Sequence, residues 1–111
     1  MTDLDSFNLF VYGSLRDLHV FTEVTGLPCQ DKIPAVLEGY ALGHAVGGYP
    51  AAFPNPDSHM EGDVIPGLPR EILVRLDAYE GEGDLYRRIC VQVKTAQDEM
   101  PAYVYIRNPE L

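Results

Sequence analysis

A chain of 111 residues has room for one domain and one core but not for two ordinary domains. Its 46% hydrophobic content, with seven Tyr and four Phe, argues for a globular interior, yet nothing approaches the roughly 18 to 20 apolar residues of a membrane span. A formal net charge of −9, with Arg87-Arg88 the only adjacent basic pair, argues against nucleic acid as a partner, because phosphate binding depends on clustered Lys and Arg.

Met1-Thr2-Asp3-Leu4-Asp5 has neither the basic n-region nor the apolar h-region of a signal peptide, so a cytoplasmic location is expected. From there Phe7, Leu9 and Val11 alternate with Asn8, Phe10 and Tyr12, the period of a strand buried on both faces. The strand stops at Gly13. Gly13-Ser14 can turn the chain and present backbone N–H groups outward, a geometry that suits anions and polarised carbonyls, although such a pair most often does no more than end a strand.

Asp17 is placed to N-cap a short helix with Leu18, Phe21 and Val24 on one face, which Gly26 and Pro28 end. Ile33 to Leu42 reads as a second strand, with Gly39 at a bulge or a point of close backbone approach. Gly43 to Asn55 reads as a loop entering a short extended strand, held at an edge by Pro50 and Pro54. Asn55-Pro56-Asp57-Ser58 is a turn signal, and Met60 to Ile65 is expected to form a hairpin with the segment before it.

Gly67-Leu68-Pro69 then opens an amphipathic helix with Glu71 in its first turn and Ile72, Leu73, Leu76 and Tyr79 as its apolar stripe. Gly81 is the expected C′ residue, which puts Glu80 at the helix end. Tyr86 to Lys94 alternates as a strand, Ala96 to Glu99 turns the chain, and Ala102 to Ile106 returns antiparallel. Five or six short strands and two helices, without a βαβ rhythm, make an α+β domain with a small, mainly antiparallel sheet.

Cys29 and Cys90 lack a Cys-x-x-Cys spacing and are expected to be free thiols without chemistry. His19, His44 and His59 are scattered, with no helical zinc spacing. The densest ionisable group is LDAYEGEGDLYRR, residues 76–88. Counted from Glu80 or from Asp77, it does not put the glycine and final carboxylate of an EF-hand in place. Two readings remain open on the residues alone. The acids can form a solvated helix end paired with Arg87 and Arg88, or Glu80 can be a general base whose pKa is raised by the negative end of the helix dipole and by partial burial.

FVYGSLR, GYPAAFP, EGDVI, LDAYEGEGDLYRR and AYVYI, in that order, together resemble the gamma-glutamylcyclotransferase-like family, especially its short branch related to avirulence-induced plant proteins. The resemblance implies a small mixed, mainly antiparallel β-barrel with flanking helices. It implies cleavage of gamma-glutamyl amines by intramolecular cyclisation, releasing 5-oxoproline and a free amine or amino acid, with no metal or organic cofactor. Tyr12, Gly13, Ser14 and Leu15 match the substrate-holding loop and Glu80 the acid/base glutamate, while Tyr49 and Tyr86 stand where pocket walls are expected. Ser14 is not expected to be a nucleophile. The expected partner is therefore a small gamma-glutamyl substrate. The alternative from a different class is a non-catalytic binding or regulatory module that uses the same pocket.

Overall fold

The computed structural model describes residues 6–28, 31–44, 48, 50–82 and 85–108. The expectations for Cys29 and Tyr49 lie outside the described residues. Five strands and two helices follow in the order β1 (Ser6–Val11), α1 (Leu18–Thr25), β2 (Ile33–His44), β3 (Pro50–Pro69), α2 (Leu73–Glu80), β4 (Tyr86–Thr95) and β5 (Glu99–Arg107). Short 3-10 turns, Ser14–Arg16 and Arg70–Ile72, precede the two helices. Neither helix is long and apolar enough to cross a membrane.

The strands form a closed barrel in the order β1-β3-β2-β4-β5. The ladders from β1 to β3, β3 to β2, β2 to β4 and β4 to β5 are antiparallel. Closure comes from two parallel pairings onto β5, Leu9 with Tyr103 and Ala52 with Ile106. This is the mixed, mainly antiparallel barrel with flanking helices that the sequence resemblance implies.

β1 has apolar residues on both sides because it separates two cores. Phe10 points into the barrel with Leu37, Val64, Val93 and Val104, all at most 1% exposed. Phe7, Leu9 and Val11 face the other way, onto Phe21 of α1 and Leu73 and Leu76 of α2. A strand with water on one face would need polar residues at every second position, and β1 has no such face.

Local signals set the helix ends. The Asp17 carboxylate accepts from the His19 N–H at 2.9 Å, and Gly26, in the left-handed region at φ 76°, donates its N–H to the Thr22 carbonyl at 2.8 Å. Gly81 closes α2 in the same left-handed region, at φ 66°. The α2 stripe differs from expectation at its last member, since Ile72, Leu73 and Leu76 are buried but Tyr79 is 45% exposed. Tyr79 belongs to the rim of a cavity instead of the core, because a hydroxyl partner holds it there.

The expected hairpin between residues 50–54 and 60–65 does not form. Both segments belong to β3, and both pair antiparallel with β2, Ile33 to Glu38 against Val64 to His59 and Tyr40 to His44 against Pro54 to Pro50. The Asn55–Ser58 signal produces a wide irregularity opposite Gly39, which sits at φ 84°. The Asn55 side-chain carbonyl accepts from the Asp57 N–H at 3.1 Å, so the turn chemistry is satisfied inside a continuous strand. A long neighbour on β2 kept both halves in one sheet.

Candidate active site

Where β1 ends, the chain turns through Tyr12 and Gly13 into the short helix Ser14–Arg16, and the end of α2 packs beside it. A cavity of about 540 Å³ opens between them. Tyr12, Gly13, Ser14, Leu15, Glu80 and Tyr86, six of the residues expected at the site, all line it. Tyr79, Leu85, Tyr105 and Pro50 complete much of its wall.

Leu15 is 3% exposed and belongs to the core shared with the helices, so its side chain anchors the turn from behind. The turn is closed by the Arg16 N–H on the Gly13 carbonyl at 3.0 Å and by the Asp17 N–H on the Ser14 carbonyl at 3.1 Å. Backbone N–H groups at the start of such a helical turn lie ahead of its internal ladder and have no partner within it.

Both tyrosines expected here spend their hydroxyls on the barrel. The Tyr12 hydroxyl donates to the Tyr105 carbonyl at 2.5 Å and accepts from the Ala52 N–H at 3.0 Å, joining the end of β1 to β5 and β3. Burial raises its pKa well above the ordinary tyrosine value, only partly countered by the Ala52 N–H, and nearby Tyr86 and Glu80 push the same way. Tyr86 donates to the Pro50 carbonyl at 2.6 Å. These side chains build walls and hold strands together; neither hydroxyl is placed to move a proton.

Glu80 differs from them. Burial alone lifts its pKa from the ordinary 4.5 to about 7. The partial burial invoked from the sequence is thus present at this helix end. The last turn of α2 is capped, with the Gly81 and Glu82 N–H groups both directed at the Asp77 carbonyl. Glu80 is the only carboxylate lining the cavity, and no basic side chain lines it among the described residues. A carboxyl with this pKa is part acid and part base near neutral pH.

Ser14 and Tyr79 meet across the rim, their hydroxyl oxygens 2.7 Å apart. Ser14 has no imidazole or lysine beside it there, which agrees with a holding role and not with nucleophilic attack. Farther back, the Tyr105 hydroxyl donates to the Asp77 carboxylate at 2.7 Å, and Arg88 approaches the same oxygen at 3.5 Å. Burial is the main reason the Tyr105 pKa lies far above the ordinary value, and the bond to Asp77 adds to it. The acidic segment is therefore divided: Asp77 pairs with the Arg88 guanidinium, the Glu82 carboxylate accepts from the Arg88 backbone N–H at 3.4 Å, and Glu80 lines the cavity.

Sequence reasoning missed Tyr105 as a lining residue. Tyr103 and Tyr105 share one face of β5 and look alike in the sequence. Only the curvature of the closed barrel brings Tyr105 to the cavity while Tyr103 stacks against Phe7, at 5.6 Å between ring centroids.

Residues 9–111 match the family model described as "Gamma-glutamyl cyclotransferase, AIG2-like". No curated protein sequence is a match. Among solved structures, two solution structures of Arabidopsis thaliana proteins are similar, at 27% and 29% identity and TM-scores of 0.81 and 0.79. The alignments cover 99% and 96% of this chain, and 74% and 65% of those proteins. An AIG2-like protein of Mus musculus shares the fold at TM-score 0.74 and 21% identity, covering 95% of this chain and 81% of that one.

Proposed function

The chain belongs to the gamma-glutamyl cyclotransferase, AIG2-like family, and from that premise we propose that it cyclises a gamma-glutamyl amine, releasing 5-oxoproline and a free amine or amino acid, with Glu80 as the general acid/base. The observation that carries the proposal is that the partly buried Glu80 carboxylate opens onto the same cavity as the Gly13-Ser14 turn. A proton-transfer group and a row of backbone donors then face one substrate.

The substrate's α-ammonium loses a proton to the Glu80 carboxylate, and the freed α-amino nitrogen attacks the γ-carbonyl carbon. A five-membered C–N bond forms and the carbonyl π electrons move to oxygen. The oxyanion is met by N–H groups of the Tyr12 to Leu15 turn. Glu80, now protonated, gives its proton to the departing nitrogen as the oxyanion collapses and the amide C–N bond breaks, and the second proton of the ring nitrogen passes through the same carboxylate to the released amine, which leaves as an ammonium ion. The carboxylate is thus restored at the end of each turnover. Because the nucleophile and carbonyl belong to one molecule, holding the substrate folded supplies most of the entropic part of catalysis. The tyrosine walls provide that constraint, and the Ser14 and Tyr79 hydroxyls at the rim offer donors to the polar end of the substrate.

The test is to incubate the protein with a panel of gamma-glutamyl amines and gamma-glutamyl amino acids and to measure 5-oxoproline. Turnover that disappears in Glu80→Gln supports the proposal. Saturable binding without 5-oxoproline would make the pocket a binding module instead, and wild-type turnover in Glu80→Gln would remove Glu80 from the chemistry.

A further inference from the structure

The turn that faces Glu80 is followed at once by an excursion, residues 17–31, that carries α1 and returns to β2. The chain leaves this excursion's base at Arg16 and re-enters it at Lys32, and both side chains converge on one carboxylate. Asp63 is 7% exposed, one of the few polar side chains to be buried. Its Oδ2 accepts from Arg16 Nε at 2.9 Å and lies 3.8 Å from Lys32 Nζ. Lys32 Nζ also donates to the Arg16 carbonyl at 2.8 Å. Carboxylate, guanidinium, ammonium and backbone carbonyl thus form a closed ring across the base of the excursion.

The backbone of Asp63 is equally fixed. It lies between Val11 of β1 and Pro34 of β2 in the two ladders that flank β3. The preceding residue, Gly62, passes so close to β1 that an added Cβ would strike the Val11 carbonyl and the Phe10 ring. Asp63 is therefore built into the middle of the sheet, and what it holds takes its position from the barrel. A buried carboxylate would be costly without such partners, so the ring is preserved as a unit.

We infer that Asp63 is a positioning residue, which locks the Gly13–Arg16 turn to the barrel through Arg16 and Lys32 and so fixes where the turn's N–H groups point. The inference rests on the reaction proposed above for its catalytic consequence, but the locking itself is independent of that reaction.

Two variants and two measurements test it. Amide hydrogen exchange is followed by NMR on the free protein, Asp63→Asn and Arg16→Met, the second altering a side chain that is 47% exposed. Exchange at the amides of Arg16 and Asp17, which close the turn, is expected to rise by roughly tenfold or more in both variants while β4 and β5 amides keep their rates. With a gamma-glutamyl compound that the wild type turns over, kcat is expected to fall by roughly 10- to 100-fold and KM to change little, because displaced donors cost most in the transition state. The acid limb of the pH–rate profile stays in place. Unchanged exchange at Arg16 and Asp17 in Asp63→Asn overturns the inference, as does a rise spread evenly over all strands or a loss confined to KM. If no gamma-glutamyl compound is turned over, the proposed reaction fails and the exchange measurement still decides the locking role.

Discussion

Ser14 and Tyr79, 65 residues apart in sequence, place their hydroxyl oxygens 2.7 Å from one another at the rim of the cavity. The bond ties the Gly13–Arg16 turn to the helix end that carries Glu80. It is exposed, so its effect on stability is small. Ser14→Ala and Tyr79→Phe are each expected to cost at most about 1 kcal/mol by urea denaturation. The double variant is expected to cost less than the sum of the two, because one bond is lost in either single variant. A strictly additive cycle would mean that the two hydroxyls act separately.

Glu80→Gln is expected to lower turnover by roughly 100-fold or more, the range of a general acid/base contribution. The fold should persist, since Gln keeps the shape of the side chain in a cavity wall that includes four tyrosines. Circular dichroism and cavity-ligand binding check the fold, and 5-oxoproline release checks the loss.

The same substitution has a pH-dependent effect on stability of defined sign. Glu80 has a folded pKa of about 7 against an ordinary value of 4.5, so between those values the folded state binds the proton that the unfolded state has released. Stability therefore falls as pH rises through this window, by at most about 3 kcal/mol before solvent screening is counted. Thermal denaturation is expected to show Glu80→Gln equal to wild type near pH 4 and more stable near pH 8. An equal difference at both pH values would contradict the raised pKa. In turnover, kcat/KM is expected to rise through about pH 7 as the base becomes ionised.

Tyr12→Phe removes a hydroxyl that serves two partners, the Ala52 N–H and the Tyr105 carbonyl. Those groups are partly buried, and losing their shared partner is expected to cost about 1 to 3 kcal/mol in chemical denaturation. Its effect on turnover should follow from displacement of the turn and not from a lost proton donor, so the pH–rate profile is expected to keep its shape.

Leu76→Ala tests how α2 is held. Leu76 is fully buried in the core between the helices and β1, and truncation there is expected to cost about 2 to 5 kcal/mol. Because Glu80 lies one helical turn farther on, activity is expected to fall at temperatures well below the global midpoint.

Much of this was legible because the informative signals are local. Asp17, Gly26 and Gly81 mark helix ends through hydrogen bonds and dihedral angles that involve only near neighbours, and each end falls where its residue type requires. The alternation around Phe10 revealed a strand with two buried faces. β3 was misread because turn residues at 55–58 have two outcomes, a reversal or a bulge, and the choice lies with β2, which is long enough to pair with both sides. Tyr105 escaped for a related reason. Its role depends on which way a curved surface faces, and neighbouring residues do not encode that curvature.

The two parallel contacts that close the barrel have a consequence for when this protein becomes competent. Leu9 and Ala52 wait for Tyr103 and Ile106, which belong to the last strand. Such pairings close very long loops and form late in folding. During synthesis from the N-terminus, the turn, α1 and the β2–β3 pairing can all form while the cavity still lacks its Tyr105 wall. A nascent chain halted before β5 would display an apolar, unfinished trough, with Tyr12 lacking the carbonyl to which it donates. Completion of the cavity wall and completion of the barrel are then a single event.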